Sequence, residues 1–520
     1  MQTFLRVHGA KIKGMLNGFD RVRFRGTLRM IANCKGLCCF LAWWGILMKD
    51  FKEWSMNLTE AIRRSAVDLA QTRGRPLMYV PSCNTDKDAI VREIAERDGI
   101  IAGLICVLTC VESCQTYTLH RNKHKKTLDL QPFAGRCLHQ YFYIRHPQFG
   151  LMHLRLQTWV PFTIHINING REWLANQLRQ AGICYEKRDN CFVDIADVAR
   201  AQALLDEQLR TNWQTVLDEL VREYHPLHAA TAVFQREPYY WSADETEWAS
   251  DVMFNRAADL AELYPRLVRH SVTHVGCQDV LRYLGRPGRL TKYRAGEITT
   301  SILTRREGTR CRHSLNGNSI KMYDKQEQLL RIETTINNPR QMKVFRPPAD
   351  NPQGERKWQT LRKGVADLHR RAELSQASNA RYLEDLASVE QDESLGQTLA
   401  DAVRPTTRNG RRVRALHPFE GDDMRLLAAV NCAEFAIHGF RNADIRRKLF
   451  GNHARPPKTQ TGRRQSQQVT RWLTLLRAHH LIKKIPRTHR YILTKKGRNI
   501  ITATFAAQQA STKQLATLAV

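Results

Sequence analysis

The sequence predicts a mixed α+β protein: an N-terminal α/β sheet region, a central antiparallel sheet with helices, and a C-terminal run of helices closed by a basic hairpin. Three observations predict it. A strand, helix, strand order between Pro76 and Val111 implies a parallel pair. Apolar alternation with period two recurs from Leu138 to Gln157 and from Ser319 to Ile336. Helical spacing of apolar residues takes over after Gly421. With 520 residues there is chain for about three domains. Composition shifts suggest a mixed α/β domain over 1–190, a helical region with an antiparallel hairpin over 191–345, a helical linker over 346–416 and a C-terminal domain over 417–520.

In order along the chain, Asp20 to Arg29 reads as a basic strand and turn, with Val22, Phe24 and Leu28 as anchors and the arginines outward. A solvated strand face explains it better than a phosphate-contacting edge, because the signal is only compositional. Gly36 to Met48 is too short to span a bilayer and reads as a buried helix or strand. A helix is expected from Leu58 to about Thr72, a strand at Pro76 to Val80, a helix at Asp86 to Arg97 and an apolar strand at Leu104 to Val111. Leu138 to Ile144 and Gly150 to Gln157 read as adjacent antiparallel strands about a turn at His146-Pro147. Phe162 to Asn167 is a further strand that passes through Asn169-Gly170 into a helix at Arg171 to Gln180, and Asp194 to Tyr224 is helical. Among Tyr239, Tyr240, Trp241 and Trp248, the helical spacing of Trp248 with Val252 and Met253 predicts core packing rather than base stacking. Residues 266–285 predict another helix, Lys343 to Glu355 a linker, and Arg356 onward a helix with Trp358, Leu361, Val365 and Leu368 on one face and Arg362, Lys363, Arg370 and Arg371 displayed elsewhere.

Lys+Arg 81 against Asp+Glu 50 gives a formal charge of +31. Such an excess answers a polyanion, so nucleic acid is the expected partner. Neither end of the sequence carries a lipidation signal, and no membrane partner is expected. Thirteen unevenly spaced cysteines fit thiols in a reducing compartment and a cytoplasmic location. Cys106, Cys110 and Cys114, with His120, Cys137 and His139, are spaced too widely along a strand for a structural zinc site. His165-Ile166-Asn167 lacks the second histidine that would set two imidazoles on one strand face.

The densest collection of chemistry lies in Asn318 to Asn338, NSIKMYDKQEQLLRIETTINN. Its two alternating strands bury Ile320, Met322, Leu330 and Ile332 on one side only if the loop between them has an odd number of residues, such as Glu327 to Leu329 with a bulge. The other face then sets Tyr323 beside Glu333 and Lys325 beside Arg331, a like-charge pair that needs Glu333 or a phosphate between its members. The same residues equally describe an amphipathic hairpin with a solvated ionic face.

The C-terminal region reads as three helices, Asp423 to Phe435, Arg441 to Leu449 and about Arg464 to His479, then two short strands, LIKKI and RYILT, and a last helix near Arg498. Val469, Trp472, Leu473 and Leu476 form the buried stripe of the third helix. Arg463, Arg464, Gln467, Gln468, Arg471 and Thr474 stay outward or at its start, and Lys483, Lys484, Arg487 and Arg490 belong to the hairpin. This is the order of a winged helix-turn-helix, in which the third helix enters the major groove and hairpin cations meet phosphate. Pro405 to Ile500 holds 22 Lys/Arg against 5 Asp/Glu, more than half of the excess charge. Gly421 to Gln508 is therefore expected to fold alone and to bind duplex DNA, with a homodimer among the assemblies such a domain allows.

With TLLRAHHLIKKI and the terminal ILTKKGR, this layout resembles the DNA-binding domain of the MarR-type bacterial regulators. IKMYDK followed by LLRIETTI resembles the Y-D/N-K and R-x-E segments of plasmid and phage replication initiators that act by rolling-circle nicking. The whole chain also resembles a group of bacterial proteins, a likeness that supplies no activity. The initiator resemblance implies Tyr323 as the nucleophile on a DNA phosphodiester and Glu333 as a carboxylate for Mg²⁺, with Lys325 or Arg331 offsetting charge on the phosphorane. The expected function is that of a DNA-binding protein of a mobile or replicating element, with a nicking activity at Tyr323. A non-catalytic winged-helix transcriptional regulator and an RNA-binding protein are the alternatives.

Overall fold

The computed structural model describes residues 1–122, 124, 127–225, 227–231, 235–284, 298–305, 308–348, 350–390, 395–432, 435, 439–451, 459–486 and 488–509. Its strands begin with β1 (Ile12–Leu28), β2 (Leu77–Tyr79), β3 (Gly103–Asn122), β4 (Thr127–His146), β5 (Gly150–Gln157) and β6 (Ile164–Asn169). After the small hairpin β7 (Tyr185–Arg188) and β8 (Cys191–Ile195) come β9 (Tyr239–Phe254), β10 (Ile298–Arg305), β11 (Gly308–Leu315), β12 (Asn318–Lys325) and β13 (Leu329–Ile336). Apart from β7 and β8 these form one sheet of eleven strands, in the order β10-β11-β12-β13-β9-β1-β6-β5-β4-β3-β2. β2 and β3 are parallel, joined through the helix Lys87–Arg97, as the strand, helix, strand pattern requires. The other pairings are antiparallel.

The topology repeats. β1 is followed by helices and then by the meander β3-β4-β5-β6, which returns to pair with β1. β9 is followed by the helix Ala257–Thr273 and later by β10-β11-β12-β13, which returns to pair with β9. Since β1 and β9 pair antiparallel along nearly their full length, the halves are related by a pseudo-two-fold normal to the sheet. A side chain on one face in the first half therefore has its counterpart on the same face in the second. The boundary expected near residue 190 falls inside this continuous sheet and is corrected accordingly. The chain divides instead into a unit formed by most of residues 1–387 and another formed by Ser388 onward with Thr273–Asp279.

One face of the sheet is apolar. Val22, Phe24, Leu154, Ile166, Ile168 and Trp248 are buried there. The ring of Phe24 meets Trp213 of the helix Trp213–Tyr224 at 4.9 Å between centroids. Asn379 of the helix Leu368–Leu386 donates to the carbonyls of Trp248 and Ile332 and accepts from the Thr334 hydroxyl. The opposite face is polar and carries Arg21, Arg23 and Arg25 of β1 together with the odd-numbered residues of β12 and β13. Its β1 end is covered by the helix Val198–Gln208, so closely that a Cβ on Gly18 would lie 2.8 Å from Leu205.

Periodicity misleads in three places. Tyr239–Phe254 is a strand, because a bulge at Asp244 breaks the two-residue alternation that would reveal it. Tyr239, Trp241 and Trp248 are nonetheless core residues, as their apolarity demands. The helical stretch expected over Asp194 to Tyr224 is the end of β8 and two helices, the second capped by the Asn212 side chain. Lys343–Arg346 (β14) and Lys357–Thr360 (β15) pair as a hairpin across the proline-bearing turn, so the following helix starts at Leu368 and not near Arg356. Arg371, expected at the surface, is fully buried.

In the second unit the helices Gly421–Val430, Asn442–Phe450 and Gln460–Ala478 lead to the antiparallel strands Ile482–Lys484 and Tyr491–Leu493 and to the helix Lys495–Gln509. Leu426, Ile445, Val469, Leu473 and Ile500 share a core with Leu399, Ala402 and Leu416. The core thus draws on residues before 417, and a fragment cut at Gly421 would lose part of it. No helix among the described residues is long and apolar enough to cross a membrane.

Candidate functional site

β12 and β13 are joined by Gln326 to Gln328, a three-residue turn in which Gln326 and Glu327 take φ of 53° and 58°. The odd count keeps Ile320, Met322, Leu330 and Ile332 together, all fully buried. Because the turn lies one residue earlier at each end than expected, Tyr323 faces Arg331, Lys321 faces Glu333 and Lys325 faces Leu329. This corrects the Tyr323–Glu333 and Lys325–Arg331 pairing and removes a like-charge contact. A shift of two residues preserves the face, so Tyr323, Lys325, Arg331 and Glu333 still share the polar side.

The neighbouring strands add acids to that side. Glu247 and Asp251 come from β9. Asp20 comes from a β-bulge: Phe19 pairs with Trp248 and Arg21 with Glu247, which leaves Asp20 as the extra residue, aimed at the cluster. Carboxylate oxygens of Asp20, Glu247 and Glu333 lie within 4.8 Å of one another. Their side chains are 5, 12 and 4% exposed. Lys321 stands among them, its Nζ donating to Glu247 at 2.7 Å and to Glu333 at 2.6 Å. Arg331, fully buried, donates to both oxygens of Asp251 at 2.6 and 2.9 Å, to Asp20 at 2.8 Å and to the Asn190 carbonyl at 2.9 Å. Arg171 Nη2 is 2.7 Å from Asp251, and the Asn190 amide donates to Asp20 at 2.9 Å.

Burial governs how these groups titrate. It pushes the Glu333 carboxyl above its ordinary range, with Glu247 and Asp20 adding to the effect against the pull of Lys321. Asp20 feels the same burial, but Arg331 and Arg171 outweigh it and hold its carboxyl low. Burial, and then the charge of Glu333, push the Tyr323 phenol upward, while Lys321 and Arg310 favour its phenolate. Tyr323 is 7% exposed, with Lys325 Nζ 5.6 Å and the Arg310 guanidinium 6.0 Å from its ring centre.

Three converging carboxylates are the hard donors that Mg²⁺ or Mn²⁺ takes, and Lys321 holds two of them, Glu247 and Glu333, so an ion there would have to displace its ammonium. A divalent ion would require Glu333 without its proton, so uptake should release protons and strengthen as pH rises through the raised Glu333 range. Calorimetric titration with Mn²⁺ in buffers of different ionisation heat is expected to report that release, and Glu333→Gln to remove it. Uptake by the parent protein without proton release would contradict the assignment of Glu333 as a ligand.

Of the residues singled out from sequence, Tyr323, Arg331 and Glu333 converge, with Arg331 acting as a clamp on Asp20 and Asp251. Asp20, Glu247, Asp251, Lys321 and Arg171 were missed. The run of acids in DETEWASD, dense for an otherwise apolar strand, is a signal for Glu247 and Asp251 alone. Beside the cluster opens a cleft of about 560 Å³, with Arg21 and Asn190 on the cluster side and Tyr143, His153, Asn167 and Arg179 beyond. His153 and Asn167 are hydrogen-bonded at 2.9 Å, and burial drives the His153 pKa down to about 4, so the imidazole is neutral.

In the second unit, Arg463, Arg464, Gln467, Gln468, Arg471 and Thr474 are all exposed on the helix Gln460–Ala478. At about 100° per residue they fall within an arc of about 140°. Val469, Leu473 and Leu476 are buried on the opposite side. Lys483 and Lys484 are exposed, Arg490 is half-buried and donates to the Gly439 carbonyl, and Arg487 lies outside the described residues. Set against family models, curated proteins and solved structures, the chain matches none.

Proposed function

We propose that this is a DNA-binding protein of a mobile or replicating element, reading duplex DNA through its C-terminal unit used as a winged helix-turn-helix. The observation that carries the reading is the segregation on Gln460–Ala478: three guanidinium groups, two side-chain amides and a hydroxyl share one exposed face, while the opposite face is core. Arginine and glutamine at such positions make paired hydrogen bonds to guanine and adenine edges in the major groove. Lys483 and Lys484 on the following hairpin supply phosphate contacts. Arg471→Ala is expected to lower discrimination between sequences by about 1–3 kcal/mol, and Lys484→Ala to weaken all duplexes alike and reduce the salt slope by about 1. Anisotropy titrations of the full chain with matched and mismatched duplexes check both. An equal loss on every duplex for Arg471→Ala would place Arg471 on the backbone instead.

A second reading, nicking, is favoured by the placement of Tyr323 on the same face as Asp20, Glu247 and Glu333. In it the Tyr323 oxygen attacks phosphorus, the bond from phosphorus to the 3′ oxygen breaks, and that oxygen leaves with a proton while the protein stays joined to the 5′ phosphate. A divalent ion at the three carboxylates would stabilise charge on the non-bridging oxygens. Arg310 and Lys325, 6.0 and 5.6 Å from the ring centre, add positive charge where the phosphate would arrive.

A further inference from the structure

The halves of the sheet match in register as well as in topology. The bulge at Asp20 lies opposite Trp248 and Glu247, and a second bulge, at Asp244, lies opposite Phe24 and Arg23. Matching Asp20 to Asp244 sends Arg23 onto Glu247 and Phe24 onto Trp248, and carries the first bulge onto the second. The match propagates outward: the pair Arg25–His165 falls on Ala249–Glu333, and Arg155–His165 falls on Lys321–Glu333. The carboxylate cluster therefore has a counterpart in which the bulged aspartate is kept while Glu247, Glu333 and Lys321 are replaced by Arg23, His165 and Arg155. A site built for a cation has a twin built for an anion.

Apart from Arg155, the charges of the twin are loosely held. Arg25, Lys363 and His165 approach Asp244 at 3.9, 3.8 and 3.8 Å, and Arg23 approaches Glu245 at 3.8 Å, none at hydrogen-bonding distance. Arg155 is positioned beside His165 by a paired contact with Glu112 at 2.7 and 3.1 Å. The Nε atoms of Arg23 and Arg25 are shielded without a hydrogen-bond partner among the described residues. So is that of Arg310, which is 8% exposed and pairs with Tyr323 on the same face. The outer ends of Arg23 and Arg25, on side chains 42% exposed and with no acid among the described residues closer than 3.8 Å, are the donors that an acceptor arriving from outside can meet.

We propose that the Asp244 half-site binds backbone phosphate of single-stranded DNA alongside the carboxylate cluster, with Arg23, Arg25, Arg155 and Lys363 as its cations. The polymer rests on the nicking reading above. The two bulged aspartates are separated by about 12 Å along the strand direction, so a strand held at one reaches the other. Unpaired bases are indicated by Phe345 and Trp358, 55 and 66% exposed with ring centroids 5.5 Å apart, on the hairpin that runs on to Lys363. Such rings offer faces on which bases stack.

The test uses the full-length protein carrying Arg463→Gln, Arg464→Gln and Arg471→Gln, so that the C-terminal unit contributes little. With EDTA present, labelled oligo-dT and an oligo-U of equal length are titrated over a salt series. Adding Arg23→Gln with Arg25→Gln is expected to weaken oligo-dT binding at least tenfold and to flatten the log–log salt slope by about 1.4, two contacts at about 0.7 each. Lys363→Gln, at a side chain 47% exposed, is expected to weaken it about threefold and carries the test if the double variant fails to fold. Unchanged affinity and slope overturn the phosphate site, and oligo-U bound as tightly as oligo-dT overturns the polymer. Covalent attachment at Tyr323 with Mg²⁺ is scored separately. Lost affinity in the variants with no attachment in the parent keeps the phosphate site and removes nicking, whereas attachment with unaltered affinity does the reverse.

Discussion

Arg331→Leu is expected to destabilise the sheet-bearing unit by about 3–5 kcal/mol, more than any other single change on the polar face. The guanidinium is fully buried and binds Asp20, Asp251 and the Asn190 carbonyl, so its loss leaves two buried carboxylates with only the Asn190 amide and Arg171, among the described residues, against them. Arg331→Leu combined with Asp251→Leu should recover part of the loss, because one stranded carboxylate is removed with the guanidinium while Arg171 and Asp20, 3.7 Å apart, remain to offset each other. Tryptophan fluorescence during urea unfolding measures both, since Trp248 sits on β9 beside these residues. A loss below about 1 kcal/mol would mean that water reaches the cluster and that the clamp is not what joins β1, β9 and β13.

The other large effect concerns chemistry. With Mg²⁺ and DNA from its own locus, Tyr323→Phe is expected to reduce covalent attachment by about 10³-fold or more, since removing a nucleophile leaves only binding and positioning. Glu333→Gln should fall as far, as expected of a ligand to the proposed divalent ion. The parent rate should rise with pH into the alkaline range, because burial and the charge of Glu333 raise the Tyr323 phenol and more phenolate forms as pH increases. Attachment that survives Tyr323→Phe would move the nucleophile elsewhere.

Much of this was legible where the physics is local. The face shared by Tyr323 and Glu333 followed from parity alone, because burying Ile320, Met322, Leu330 and Ile332 together admits only an odd turn. The register did not follow, since the left-handed positions fall on Gln326 and Glu327 and no glycine or asparagine announces them. The C-terminal helices were visible because charge and apolarity separate on each one within a few turns. The carboxylate cluster was not. Asp20 and Glu247 are far apart in sequence and meet only through a bulge, and bulges have no local signature in DRVRF or DETEW. The same bulges hid β9, where Trp248, Val252 and Met253 mimic helical spacing. Arg21, Arg23 and Arg25 do lie on a face open to solvent, but the acids they meet were not legible because they lie on β9, on the other side of the duplication.

The most direct test of the DNA reading is the salt dependence of duplex binding by the full chain. With Lys483, Lys484 and the two arginines at the start of the helix, Arg463 and Arg464, each neutralising a phosphate, log K is expected to fall linearly with log salt with a slope of about −3.6 or steeper. Replacing the three arginines by glutamine should lower affinity at least tenfold and flatten that slope. Duplex binding that is absent, or that does not respond to salt, would contradict it.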